Sequence, residues 1–258
     1  MNFKAQVTDF SRLKASCSNC NLSELCLPRS LTPQEFDDLE DIIKRSRPLH
    51  RGDHIFRSGD PFHSLYAVRS GTVKLYTTTD AGDDQIMGFY FPGEIMGFDA
   101  IENDRHLCSA IALETITYCA FSFTRLEDLC KKIPGLQHQI FRLMSRELSS
   151  DNELLLTLSN KNAEEKIATF LVSLSSRFNR LGYSSTEFRL AMSRQEIGNY
   201  LGLTIETVSR IFSKLQRENY IATERKIVQI KNLAALKVLC SGSPESAESE
   251  KYKVQSVK

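Results

Sequence analysis

Met192-Ser-Arg-Gln-Glu-Ile-Gly-Asn-Tyr-Leu-Gly-Leu-Thr-Ile-Glu-Thr-Val-Ser-Arg-Ile-Phe-Ser213 reads as two short helices joined by a tight turn. Ser193 stands where an N-cap is needed, with Glu196 three residues on at capping-box spacing. Gly202 breaks the first helix, and Thr204 is placed to cap the second. Two helices crossing closely need a small residue at the contact, a place that Gly198 fills, while Ile197, Leu201, Leu203, Val208 and Ile211 supply the interlocking apolar face. The second helix then turns Glu206, Ser209, Arg210 and Ser213 outward at i, i+3, i+4, i+7 steps. Arg210 can hydrogen-bond a guanine bidentately, Glu206 can accept from a cytosine amino group, and Ser209 can pair either way. Arg194, Lys214 and Arg217 are expected on phosphates, which position a protein without specifying sequence. Beyond the helix, Tyr220 to Ile230 reads as a hairpin wing with Arg225 and Lys226 near its tip.

Charge supports a nucleic-acid partner for this end of the chain. The overall +1 hides an asymmetry: residues 31–160 carry 13 Lys or Arg against 20 Asp or Glu, and residues 161–240 carry 13 against 7. Phosphate neutralisation by such a basic module supplies most non-specific affinity for DNA. At 258 residues and 41% hydrophobic, the chain can build two modest cores. It contains no run of about 18 apolar residues and no secretory h-region, so a cytoplasmic protein with no membrane contact is expected.

Upstream, glycine turns recur at Gly52, Gly59, Gly71, Gly82 and Gly93, separating short β-rich runs such as 64–68, 73–77 and 86–91. This spacing predicts a β-roll or jelly roll over residues 31–135. After the breaker Pro134-Gly135 the period changes, and 136–160 reads as one helix. Its seam is Phe141, Met144, Leu148, Asp151, Leu155 and Leu158, apolar except at Asp151. A seam kept for nearly three heptads favours a parallel partner helix, and one polar position weakens the pairing while fixing its register. A homodimer through this helix is expected; packing within the chain is the alternative. A hinge is expected at Ser159 to Lys161, then a helix from Asn162 to Arg180, within a winged helix-turn-helix module covering 161–240. Residues 241–258 are polar and aperiodic, and disorder is expected there. The fold class is therefore α+β.

Seven cysteines, an odd number, argue against a disulfide framework. Three of them, Cys17, Cys20 and Cys26, fall within ten residues of the 1–30 segment. Cys108 and Cys130 read as buried small hydrophobes. The five histidines show no metal spacing or triad order. An iron–sulfur enzyme, the rival class, would need an open iron or a cleft with paired acid and base.

β-roll, long helix and winged helix-turn-helix in that order resemble the superfamily of the cyclic-AMP receptor and the fumarate and nitrate reduction regulators. Its cyclic-nucleotide branch places a Glu and an Arg-Ser pair after the Pro-Gly-Glu turn; here Phe98 and Cys108 stand at the Glu and Arg places, so no cyclic nucleotide is expected. Cys17-x-x-Cys20-x5-Cys26-Leu-Pro28 resembles the oxygen-sensing branch, whose fourth ligand lies on the β-roll and matches Cys119. The resemblance implies a [4Fe-4S] cluster on Cys17, Cys20, Cys26 and Cys119, stapling the N-terminal segment to the roll, with Asn19 and Asn21 affecting its exposure. Four thiolates alone suit zinc as well as iron–sulfur. The resemblance further implies a non-enzymatic oxygen switch. Without oxygen the dimer binds a palindrome resembling TTGAT-N4-ATCAA and, with RNA polymerase touching loops such as Asp80 to Asp84, activates or represses genes of anaerobic metabolism. With oxygen the Asp151 carboxylates repel and DNA affinity falls. The blander reading is a zinc-stapled or small-ligand-responsive regulator.

Overall fold

A computed structural model describes residue 20, residues 26–27 and residues 31–241. Cys17, Asn19, Asn21, Pro28 and the 242–258 tail lie outside the described residues.

Thr32 opens α1 (Pro33–Glu40) with a capping box closed by Glu35. The glycine-punctuated run then folds into eight strands: β1 (Ile43–Arg45), β2 (His54–Phe56), β3 (Ser64–Ser70), β4 (Val73–Thr78), β5 (Asp84–Tyr90), β6 (Ile95–Met96), β7 (Ser109–Ala112) and β8 (Thr117–Ser122). They form two antiparallel sheets, ordered β1-β8-β3-β6 and β2-β7-β4-β5. Val68, Val73, Leu75, Tyr90, Met96, Ala110 and Ile116 pack together as one buried cluster, which is the jelly roll that the turn spacing predicts. Gly71 shows why the turns are glycine: its φ is +79°, and a Cβ there would sit 2.6 Å from the Thr115 carbonyl oxygen.

α2 (Phe123–Lys132) leads into α3 (Pro134–Asn160). Pro134, expected as a breaker, instead starts the helix, because at the first helical position the missing N–H would have no partner anyway. The 27 residues of α3 extend roughly 40 Å. Leu136, Gln139, Leu143 and Thr157 are buried, while Phe141, Leu148 and Leu155 are each about three-fifths exposed. Asp151 is exposed, and Met144 and Leu158 are half-buried. The hinge falls later than expected. Ser159 and Asn160 remain helical, and the chain breaks only at Lys161 and Asn162, where the Asn162 side chain caps α4 (Ala163–Arg180).

The C-terminal module adds β9 (Glu187–Arg189), α5 (Arg194–Leu201), α6 (Ile205–Arg217), β10 (Ile221–Glu224), β11 (Ile227–Ile230) and α7 (Leu233–Cys240). The wing is as expected at β10–β11, with Arg225 at its turn in the left-handed region, but β9 makes it a three-stranded sheet ordered β10-β11-β9. One apolar cluster joins this module to the roll: Ile86, Phe89, Phe91 and Leu113 pack with Ile167, Phe170, Leu174, Phe188 and Ile197.

Candidate nucleic-acid interface and thiol site

Ser193 accepts from Glu196 N–H and Glu196 returns the bond, closing the capping box of α5. Gly202 ends the helix at φ +63°, and the Thr204 hydroxyl caps α6 by accepting from Thr207 N–H. Gly198 packs so close to the next helix that a Cβ would lie 2.5 Å from the Leu203 carbonyl oxygen and 3.4 Å from Val208 Cγ2. Ile197, Leu201, Val208, Ile211, Phe212 and Leu215 fill the space between the helices. Held this way, α6 leaves Glu206, Ser209, Arg210 and Ser213 exposed. Among the described residues neither Glu206 nor Arg210 takes part in an ion pair, so the stripe is not an internal salt-bridged face. The Ser213 hydroxyl is partly committed, donating to the Ser209 carbonyl at 3.0 Å.

The described cysteines of the expected ligand set, Cys20, Cys26 and Cys119, lie on the other lobe. Cys119 lies in β8 opposite Arg45 of β1 and Ala67 of β3. Burial pushes its thiol pKa up, while Arg45 and Arg69 pull it down and a charge on Cys20 is near enough to be felt. Cys26 and Cys119 border the same apolar cluster. The two arginines offset part of that burial, in the direction that favours a thiolate, because cations stabilise the deprotonated sulfur. Among the described residues no three His, Cys, Asp or Glu side chains are gathered as a metal site; Cys17 lies outside them.

Residues 165–239 match the Crp-like helix-turn-helix domain and residues 46–133 the cyclic nucleotide-binding domain. The chain is 49% identical over 232 residues to the transcriptional activator protein anr of Pseudomonas aeruginosa, covering 90% of this chain and 95% of that one. It is 47% identical over 230 residues to the fumarate and nitrate reduction regulatory protein of Vibrio cholerae, covering 89% and 92%. The chain belongs to the FNR branch of the CRP/FNR family. The structure of FixK2 from Bradyrhizobium japonicum superposes with a TM-score of 0.70 at 26% identity, covering 77% of this chain and 97% of that one. The chain is thus an FNR-type, oxygen-responsive transcription regulator with a DNA-binding helix-turn-helix, and not an enzyme.

Two expected phosphate ligands of this FNR-type regulator sit differently. The Arg194 guanidinium lies 3.2 Å from the centre of the Phe212 ring, one of its nitrogens is buried without a partner, and burial pushes its pKa down to about 10. It braces α5 against α6, since a guanidinium stacks well on an aromatic face. Lys214 is bonded to Glu164 at the start of α4, at 2.5 Å. Arg217 is exposed, as is Arg225 at the wing turn, and both are open to phosphates.

Cys108, which the resemblance sets at the place of an Arg in the cyclic-nucleotide branch, is buried in the roll. The Cys108 thiol donates to Asp99 at 3.2 Å, and burial together with Asp99 drives its pKa far up. Asp99 also accepts from Leu107 N–H, and buried His106 stacks on Phe56 at 3.8 Å.

Sequence reasoning missed the residues that dock the two lobes. Asn199 of α5 accepts from Ile86 N–H and donates to the Asp84 carbonyl, both at 2.7 Å. Arg177 of α4 pairs with Glu94, its Nε at 2.8 Å, and lies over Phe91. No local pattern marks either residue, because the partners lie about eighty or more positions away.

Proposed function

We propose that this FNR-type regulator senses oxygen through a [4Fe-4S] cluster held by Cys17, Cys20, Cys26 and Cys119, and binds palindromic promoter DNA as a homodimer. The observation that supports the reading is that Cys26 and Cys119 border one apolar cluster, with Cys20 near enough to act on the Cys119 thiol and Arg45 and Arg69 beside it. The bound cluster supplies an oxygen-labile crosslink between the N-terminal segment and the roll. The protein's own residues supply the rest. Phe141, Met144, Leu148, Leu155 and Leu158 form the seam, of which Phe141, Leu148 and Leu155 stand exposed in the single chain; it pairs with a second copy, and Asp151 weakens that pairing. Two α6 helices one turn of DNA apart then read inverted half-sites. Thr204 fixes the start of each α6. Glu206, Ser209 and Arg210 meet base edges, with Ser213 at the end of the stripe, and Arg217 and Arg225 take phosphates. Arg194 and Lys214 support the motif from behind rather than touching DNA directly.

With Asp99 at its back the roll takes no cyclic nucleotide. The exposed Asp80 to Asp84 turn is offered to RNA polymerase, and the protein acts in the cytoplasm, beside the promoters it activates or represses. The zinc-stapled reading keeps the same DNA contacts and loses the switch. Purification without oxygen, with iron, sulfide and zinc analysis and visible absorption before and after air, separates the two. A brown protein with about four irons and four sulfides that bleaches in air supports the sensor; colourless zinc protein unchanged by air removes it.

A further inference from the structure

Cys26 and Leu27 join the cysteine segment to the helix that carries the dimer seam. Leu27 is fully buried, in one cluster with Leu39 of α1, Leu126 and Leu129 of α2, and Leu136 and Leu143 of α3. The Cys26 carbonyl accepts a hydrogen bond from Nε2 of Gln139, on α3, at 3.3 Å. Gln139 is only 5% exposed. A glutamine so deep among leucines is costly unless paired, and the partner that the fold gives it is the main chain of the cysteine segment. Gln139 sits on the same buried face as Leu136 and Leu143, while Phe141 and Leu148, on the same few turns of the helix, stand exposed. A shift or rotation of this stretch re-aims the seam.

We propose that Gln139 and Leu27 are the positioning residues that tell the dimer helix whether the cysteine segment is held. The proposal rests on the cluster reading for its trigger, while the contact itself belongs to the protein. With Cys26 fixed, its carbonyl anchors Gln139 and Leu27 plugs the gap between α2 and α3, setting the rotation of the first half of α3. With Cys26 released, Gln139 loses its acceptor and the plug can leave, so the seam residues are no longer held toward a partner helix.

Gln139→Met removes the donor at similar volume, and Leu27→Ala shrinks the plug. For the wild type and each variant, prepared without oxygen, iron and sulfide content, the dimer dissociation constant and amide hydrogen exchange along 134–150 are measured before and after air. The wild type is expected to weaken its dimer on aeration. Gln139→Met should keep its iron and sulfide yet lose about tenfold of that difference, the size set by leaving one buried polar group unpaired. A Gln139→Met protein loaded with iron that retains the wild-type shift overturns the proposal. Wild-type protein without iron instead sinks the cluster reading. The link is then decided on metal-free protein, where both variants must speed exchange at Leu27 and in the first turns of α3, and unchanged exchange overturns it. If Leu27→Ala does not fold, Gln139→Met still decides.

Discussion

Gly198 sets how closely α5 and α6 can cross, since any side chain there would press on the Leu203 carbonyl. Gly198→Ala is expected to destabilise the module by about 1–3 kcal/mol through overpacking, read as a lower thermal midpoint with reduced DNA affinity. Gly202→Ala meets open space but keeps φ +63°, so its cost should stay near 1–2 kcal/mol, the price of a left-handed Ala. If the two variants lose equal stability, steric closeness at Gly198 is not what matters. On the reading face, Arg210→Ala should weaken binding to the palindrome by about 1–3 kcal/mol and relax the preference at one base pair. Competition with sites altered at single positions checks this, and a uniform loss across all sites would make Arg210 a phosphate contact. The stripe was legible because exposure of α6 follows from periodicity. The contacts of Arg194 with Phe212 and of Lys214 with Glu164 were not, since sequence spacing does not show which way a long side chain turns.

α3 is the element to which the proposed dimer assigns the switch. Asp151 is exposed by surface area, yet the cleft around it partly desolvates the carboxyl, and that burial raises its pKa. It faces Glu147, Tyr90 and Tyr200, with the Glu94–Arg177 pair nearby. A raised carboxyl pKa means the folded state favours the protonated form. The stabilising contribution is therefore present below the ordinary carboxylate range and lost as pH rises through the raised pKa. In the proposed seam two Asp151 carboxylates brought together would push that pKa further up, so metal-free protein should dimerise more tightly as pH is lowered through the carboxylate range, and Asp151→Ala should dimerise in air with little pH dependence, both measurable by sedimentation. A monomeric Asp151→Ala protein would remove the seam assignment. The boundaries of α3 show what a sequence leaves open: Pro134 can break a helix or begin one, and only the packing of α2 against α3 decides. β9 and α7 escaped for another reason. Three residues carry no period, and α7 is apolar on most sides, so neither advertises a partner face.

For the whole molecule, the roll and the winged module share a core rather than meeting as separate bodies. Sequence reading could not show that Phe89 and Phe91 of the roll pack against Phe170 and Phe178 of α4, because that contact joins residues with no common period. Arg177 closes this interface. Burial works to lower its pKa, but the Glu94 carboxylate outweighs that and the guanidinium stays charged. Arg177→Gln would leave Glu94 without its cation and the Phe89 carbonyl without a donor. The expected cost is about 2 kcal/mol, the usual range for stranding such a group, or roughly 4–8 °C in a chain of this size. Because the shared cluster ties the lobes together, wild-type protein should melt in one calorimetric transition. Arg177→Gln should split it, with the α4-to-wing module melting first, since that module loses the anchor while the roll keeps its own inner cluster. Adding Glu94→Gln should restore part of the loss by removing the stranded charge. A single transition lowered equally in both variants would mean that the apolar cluster alone holds the lobes and that the ion pair only decorates their rim.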